Sequence, residues 1–90
     1  MTDQPLTTGD LHHVRMPKVG HGGIGVVRRW LVGEGDHVKE GDVLAEVELE
    51  KANVDVESPV SGRVVRLLVE EEEEVDAGTV IAHIDTSGEG

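Results

Sequence analysis

An internal repeat constrains this chain more than any other feature. Shifted by 37 positions, residues 25–48 fall on residues 62–85 without a gap. Ten of these 24 positions are identical: Gly25/Gly62, Val27/Val64, Arg29/Arg66, Leu31/Leu68, Val32/Val69, Glu34/Glu71, Val38/Val75, Gly41/Gly78, Val43/Val80 and Ala45/Ala82. Leu44/Ile81, Val47/Ile84 and Glu48/Asp85 are close substitutions. A repeat this short is one supersecondary unit that cannot bury its apolar face alone. Period-2 alternation makes the unit β: Val43, Ala45, Val47 and Leu49 alternate with Leu44, Glu46, Glu48 and Glu50. Residues 63–77 lack Gly and Pro and include good helix formers, so propensity alone allows a helix there. The repeat decides against it, because the first copy carries Gly33 and Gly35 in the matching segment. Each copy is therefore strand, loop, strand. Packed face to face about a pseudo-two-fold, the copies bury both apolar faces. The expectation is an all-β flattened barrel or sandwich of two antiparallel sheets.

Ninety residues suffice for one domain. The expected organisation is a flexible segment over 1–12, a folded domain over 13–85 and a short Ser/Gly/Glu tail over 86–90. Nineteen acidic residues against eight Lys and Arg give a formal charge of -11. That balance argues against nucleic acid and anionic membranes as partners, since both need clustered cations. It fits a basic protein surface instead. Cysteine is absent, which excludes disulfides, thiol nucleophiles and Cys metal sites. The longest apolar runs, such as Trp30-Leu31-Val32, are far shorter than the roughly 20 residues of a membrane span. Residues 1–10 carry two acids and no apolar stretch, unlike a secretory signal. Composition leaves the compartment open, with nothing pointing to an oxidising one.

Between the copies, residues 47–57 read as a tight hairpin. The register taken to keep apolar residues on one face pairs Leu49 with Val54 and Val47 with Val56. Lys51 and Ala52 then form a two-residue turn, expected as type I because neither is Gly. Glu46, Glu48, Glu50, Asp55 and Glu57 make the other face acidic. Surrounding negative charge favours the ammonium of Lys51, the wrong direction for an amine nucleophile or Schiff base. A protruding protonated amine suits a substrate better, one that another enzyme grips and modifies. A solvated turn lysine is the plain alternative.

The segments Met16-Pro17-Lys18-Val19-Gly20, Trp30-Leu31-Val32, Gly35-Asp36-His37-Val38, Gly41-Asp42-Val43-Leu44, Glu48-Leu49-Glu50-Lys51-Ala52 and Ser58-Pro59-Val60-Ser61-Gly62, in this order, resemble the lipoyl domains. These are carrier modules of 2-oxo acid dehydrogenase complexes, usually at the start of the acyltransferase component. The resemblance covers about residues 14–84. It implies the fold called a barrel-sandwich hybrid and a domain without catalysis of its own. It also implies lipoic acid in amide linkage to Lys51, with Glu48, Glu50 and Ala52 as recognition residues. The implied partners are a lipoate ligase or lipoyl transferase, then the 2-oxo acid dehydrogenase, acyltransferase and dihydrolipoamide dehydrogenase components. A monomeric domain in a bacterial cytoplasm, ahead of the mitochondrial matrix, is expected from the resemblance and not from charge or composition. The family's usual Glu-Thr-Asp before the lysine reads Glu48-Leu49-Glu50 here. Related biotin carriers have Met on both sides of the lysine, so Glu50 and Ala52 speak against biotin. A biotin carrier and an unmodified interaction module are the alternatives.

Gly20-His21-Gly22-Gly23-Ile24-Gly25 fits G-x-G-x-x-G, but a strand pattern follows where a dinucleotide site needs a helix. A plain loop beside the hairpin, open to a partner, is the better reading. The five histidines lack paired ligand spacing, although His12-His13 is a weak metal candidate. Residues 70–74, five consecutive glutamates, read as a solvated loop or as a steering surface for a basic partner. Trp30, the sole aromatic, is expected in the core.

Overall fold

The computed structural model describes residues 11–18, 23–50 and 52–87. Eight strands run in chain order: β1 (Leu11–Arg15), β2 (Ile24–Trp30), β3 (His37–Val38), β4 (Val43–Leu49), β5 (Ala52–Glu57), β6 (Gly62–Leu67), β7 (Glu74–Asp76) and β8 (Val80–Asp85). They form two four-stranded antiparallel sheets. The hairpin sheet has the order β5-β4-β2-β7, and the terminal sheet β1-β8-β6-β3. The all-β expectation holds, and residues 63–77 contain β6 and β7 in place of the competing helix. β1 begins at Leu11, so Leu11 and His12 belong to a strand.

The repeat is reproduced strand by strand. Exchanging β2 with β6, β3 with β7, β4 with β8 and β5 with β1 turns one sheet order into the other. The register follows too. Val27 pairs with Val47 and Arg29 with Glu46, while Val64 pairs with Ile84 and Arg66 with His83. A bulge interrupts each ladder at the same place, between Val27 and Arg29 and between Val64 and Arg66. Each copy also lends its short strand to the other copy's sheet: β3 pairs with β6, and β7 with β2.

Alternation puts Val27, Ala45, Val47, Leu49 and Val56 of the hairpin sheet against Val14, Val64, Ala82 and Ile84 of the terminal sheet. Leu44 departs from the alternation read from sequence. A bulge between Val43 and Ala45 lets consecutive residues Leu44 and Ala45 both be buried. Gly25 and Gly62 occupy equivalent positions, and at each a side chain would collide with the neighbouring strand of its own sheet. A Cβ on Gly25 would lie 2.7 Å from Leu49 Cδ2, and one on Gly62 would lie 2.6 Å from the Asp85 carbonyl oxygen. Trp30 is a correction: it is half-buried at the core's margin rather than inside it. Its indole N–H donates to the Val69 carbonyl at 3.0 Å, a partner it would lack in an all-apolar interior.

The glutamate run is structural as well as solvated. Glu71 Oε2 accepts the Trp30 backbone N–H at 2.8 Å, and its repeat mate Glu34 accepts that of Leu67 at 2.9 Å. Each carboxylate closes a backbone donor left where the opposite copy's strand ends.

Candidate functional site

The hairpin β4–β5 carries the site. Its observed register pairs Ala45 with Val56, Val47 with Val54, Glu48 with Asn53 and Leu49 with Ala52. This corrects the expected pairing of Leu49 with Val54 by two residues. The shift is even, so the faces survive: Val47, Leu49 and Val56 are buried, and Glu46, Glu50, Asp55 and Glu57 are exposed. The observed register gains one cross-strand pair, buried Leu49 with exposed Ala52, by using Ala52 as a strand residue rather than a turn residue. The chain therefore reverses between Leu49 and Ala52, and Lys51, the expected modification site, lies outside the described residues.

The turn type is corrected as well. Glu50 has φ +53°, whereas a type I turn keeps φ negative at both central positions. A left-handed first residue belongs to the primed hairpin turns, whose twist matches the flanking strands. For Glu the left-handed region costs about 1 kcal/mol, which strand pairing on both sides offsets. Glu50 and Ala52, the described residues on either side of position 51, are both exposed.

Two further groups flank the tip. Glu50 Oε2 lies 3.9 Å from where a Cβ of Gly23 would stand, so the start of β2 borders the hairpin end. Ile24, next along, is 54% exposed, the most exposed of the large apolar side chains among the described residues. These are the described members of the 20–25 loop read from sequence as a contact surface. Residues 20–22 lie outside the described residues.

Glu48 is only partly exposed, because Arg28 reaches across from β2. The guanidinium donates to Glu48 Oε1 through Nε at 2.9 Å and through Nη2 at 2.5 Å, and it also pairs with Glu72. The hydrogen bond that Arg28 donates to Glu48 and the charges of Glu72 and Glu48 hold the Arg28 pKa above its ordinary value. Glu48 is thereby oriented, not free. Sequence reasoning missed Arg28; the one signal was a cation beside the β2 bulge, where repeat mate Val65 is apolar. Among the described residues there is no group of three or more metal-ligating side chains.

A small two-sheet barrel that presents one open, acid-flanked hairpin tip is the architecture of a carrier domain. The profile of the Biotin_lipoyl family, described as "Biotin-requiring enzyme", matches residues 12–84. The dihydrolipoyllysine-residue acetyltransferase component of the pyruvate dehydrogenase complex of Corynebacterium glutamicum is 37% identical over 83 residues. That match covers 91% of this chain and 12% of the relative. Its counterpart in Staphylococcus aureus is 44% identical over 72 residues, covering 79% of this chain and 17% of the relative. This chain thus spans less than a fifth of the relatives it matches. Among solved structures, the lipoyl domain of the 2-oxoglutarate dehydrogenase complex from Azotobacter vinelandii superposes with a TM-score of 0.64 at 18% identity. That likeness covers 79% of this chain and 94% of that domain. Urea carboxylase of Kluyveromyces lactis contains the same fold, with a TM-score of 0.73 at 24% identity over 91% of this chain and 7% of that one. The chain belongs to the biotin/lipoyl carrier family and is a lipoyl domain.

Proposed function

We propose that Lys51 carries lipoic acid in amide linkage, and that the domain moves acyl groups and reducing equivalents between components of a 2-oxo acid dehydrogenase complex. The observation that carries this reading is the hairpin tip: exposed Glu50 and Ala52 bracket Lys51 in sequence, at the end of a ladder paired without a break from Ala45 and Val56 to Leu49 and Ala52. An attachment site needs that combination, since a modifying enzyme must surround the amine while the scaffold keeps it aimed. Among the described residues Glu50 and Ala52 are exposed, so they fit a tethered group that swings outward. When attached, the group supplies a dithiolane that accepts an acyl unit as its disulfide is reduced, and later gives the unit up.

The chain's own contribution is presentation. Glu50, held left-handed, and Glu48, held by Arg28, give partner enzymes a fixed acidic contour around the attachment point. Binding energy gathered there is used at the reacting centre beyond it. Tethering raises the arm's effective concentration at each active site to roughly mM. The proposed partners are a lipoate ligase or lipoyl transferase and the dehydrogenase, acyltransferase and dihydrolipoamide dehydrogenase components. The names of the relatives support pyruvate as the 2-oxo acid. The domain itself is not the catalyst, and the proposed setting is a bacterial cytoplasm.

Intact mass after coexpression with a lipoate ligase tests the reading. The expected result is a gain of one lipoyl group that Lys51→Arg abolishes, with Lys18→Arg and Lys39→Arg unaffected. An unmodified wild-type chain, or a gain that survives Lys51→Arg, would overturn it. Coexpression with a biotin ligase is expected to leave the mass unchanged.

A further inference from the structure

The outer faces of the two sheets are equivalent in geometry and opposite in chemistry. The pseudo-two-fold lays Asp55 on His13, Glu46 on His83 and Glu74 on His37. Where the hairpin sheet presents carboxylates, the terminal sheet presents imidazoles. His13 on β1 and His83 on β8 are direct cross-strand partners, with ring centroids 4.7 Å apart and planes 31° apart.

That separation has a chemical meaning. A metal–imidazole bond of about 2.1 Å puts the ion about 3.2 Å from each ring centroid. Two centroids 4.7 Å apart then subtend about 93° at a shared ion. This is the cis angle of an octahedral or tetragonal site, and a tetrahedral angle needs the rings only about half an ångström further apart. The paired strands hold both Cα positions, so rotation of the two side chains is the only adjustment. Burial, then the neighbouring His13 and Arg66, hold His83 below its ordinary pKa. The groups facing His83 are His13 from β1, Arg66 from β6 and, two residues along β8, Asp85. Arg66 opposes a cation. The Asp85 carboxylate, kept ionised by its bond from the Ser87 N–H, and the chain's charge of -11 favour one.

We propose that His13 and His83 form a two-histidine site for a divalent cation of borderline softness (Zn²⁺, Ni²⁺ or Cu²⁺), with water completing the shell. The ion would staple edge strand β1 to β8. The site is independent of the hairpin, so it stands or falls apart from the lipoyl reading.

The test is titration of the 90-residue chain with Zn²⁺ and Ni²⁺ at pH 7.5, followed through the imidazole NMR signals and thermal unfolding. The expected result is that the His13 and His83 signals move together and the unfolding midpoint rises. His13→Gln and His83→Gln, each checked for folding by circular dichroism, should weaken binding at least tenfold. His12→Gln and His37→Gln should not. His83→Gln is decisive, because sequence-adjacent His12 and His13 can chelate without it. Unchanged affinity in folded His83→Gln, or no binding at 1 mM metal, would overturn the proposal.

Discussion

At the scale of single residues, the repeat offers matched pairs that differ in one physical variable. Gly25 and Gly62 are mates, and both exclude a side chain. An added methyl on Gly25 meets the ends of Leu49 and Met16, which can shift; one on Gly62 meets the Asp85 backbone carbonyl, which cannot without breaking its strand. Gly25→Ala is expected to cost about 1–3 kcal/mol, and Gly62→Ala more, read by urea denaturation. Equal losses would show that the side chains at Gly25 are as immovable as the backbone. His83 makes the second prediction. Its pKa is lowered in the fold, mainly by burial, so the unfolded chain takes up the proton first as pH falls. Its contribution to stability is complete above about pH 6.5 and is lost as pH drops through the lower folded value. His83→Gln should flatten that part of the stability–pH curve, and parallel curves would remove the claim.

At the scale of elements, the hairpin shows what alternation reveals and where it stops. Acid at Glu46, Glu48 and Glu50 against apolar Val47 and Leu49 marked the two faces, and both survive in the structure. The register did not follow, because two registers two residues apart give the same faces. Pairing Leu49 with Ala52 extends the ladder by one pair and leaves the reversal to a turn with left-handed Glu50, which suits the twist of the flanking strands. The left-handed Glu50 was invisible for the same reason: nothing in its side chain asks for that conformation. Glu50→Asn should raise stability by up to about 1 kcal/mol, since Asn tolerates φ > 0 better. If ligases read the carboxylate, the same substitution slows lipoylation, so stability and modification rate should move in opposite directions. A variant modified at the wild-type rate would remove Glu50 from the recognition surface. The glutamate run teaches a related lesson. Glu71 could be read as solvated until β2 was seen to end with its Trp30 N–H facing that carboxylate.

At the scale of the whole molecule, the two copies are interleaved rather than merely stacked. β3 leaves the first copy to pair with β6, and β7 leaves the second to pair with β2. A chain ending at Glu57 should therefore show no cooperative unfolding by circular dichroism, and a chain beginning at Gly62 likewise. Mixing the two should restore some β signal; cooperative melting of either half alone would contradict the interleaving. Ile84 is fully buried between the sheets, and Ile84→Ala should cost about 2–5 kcal/mol, a large share of what a domain this small has. What the order of residues settled by itself was the repeat, the β period, the acidic hairpin and the likeness to carrier domains, because all of these lie in local spacing. Which strand lies beside which, how the hairpin is registered, how Arg28 braces Glu48 and how His13 meets His83 were decided only when the strands paired into sheets. Arg28 and Glu48 are 20 positions apart and His13 and His83 are 70 apart, and no periodicity along the chain encodes a distance across it.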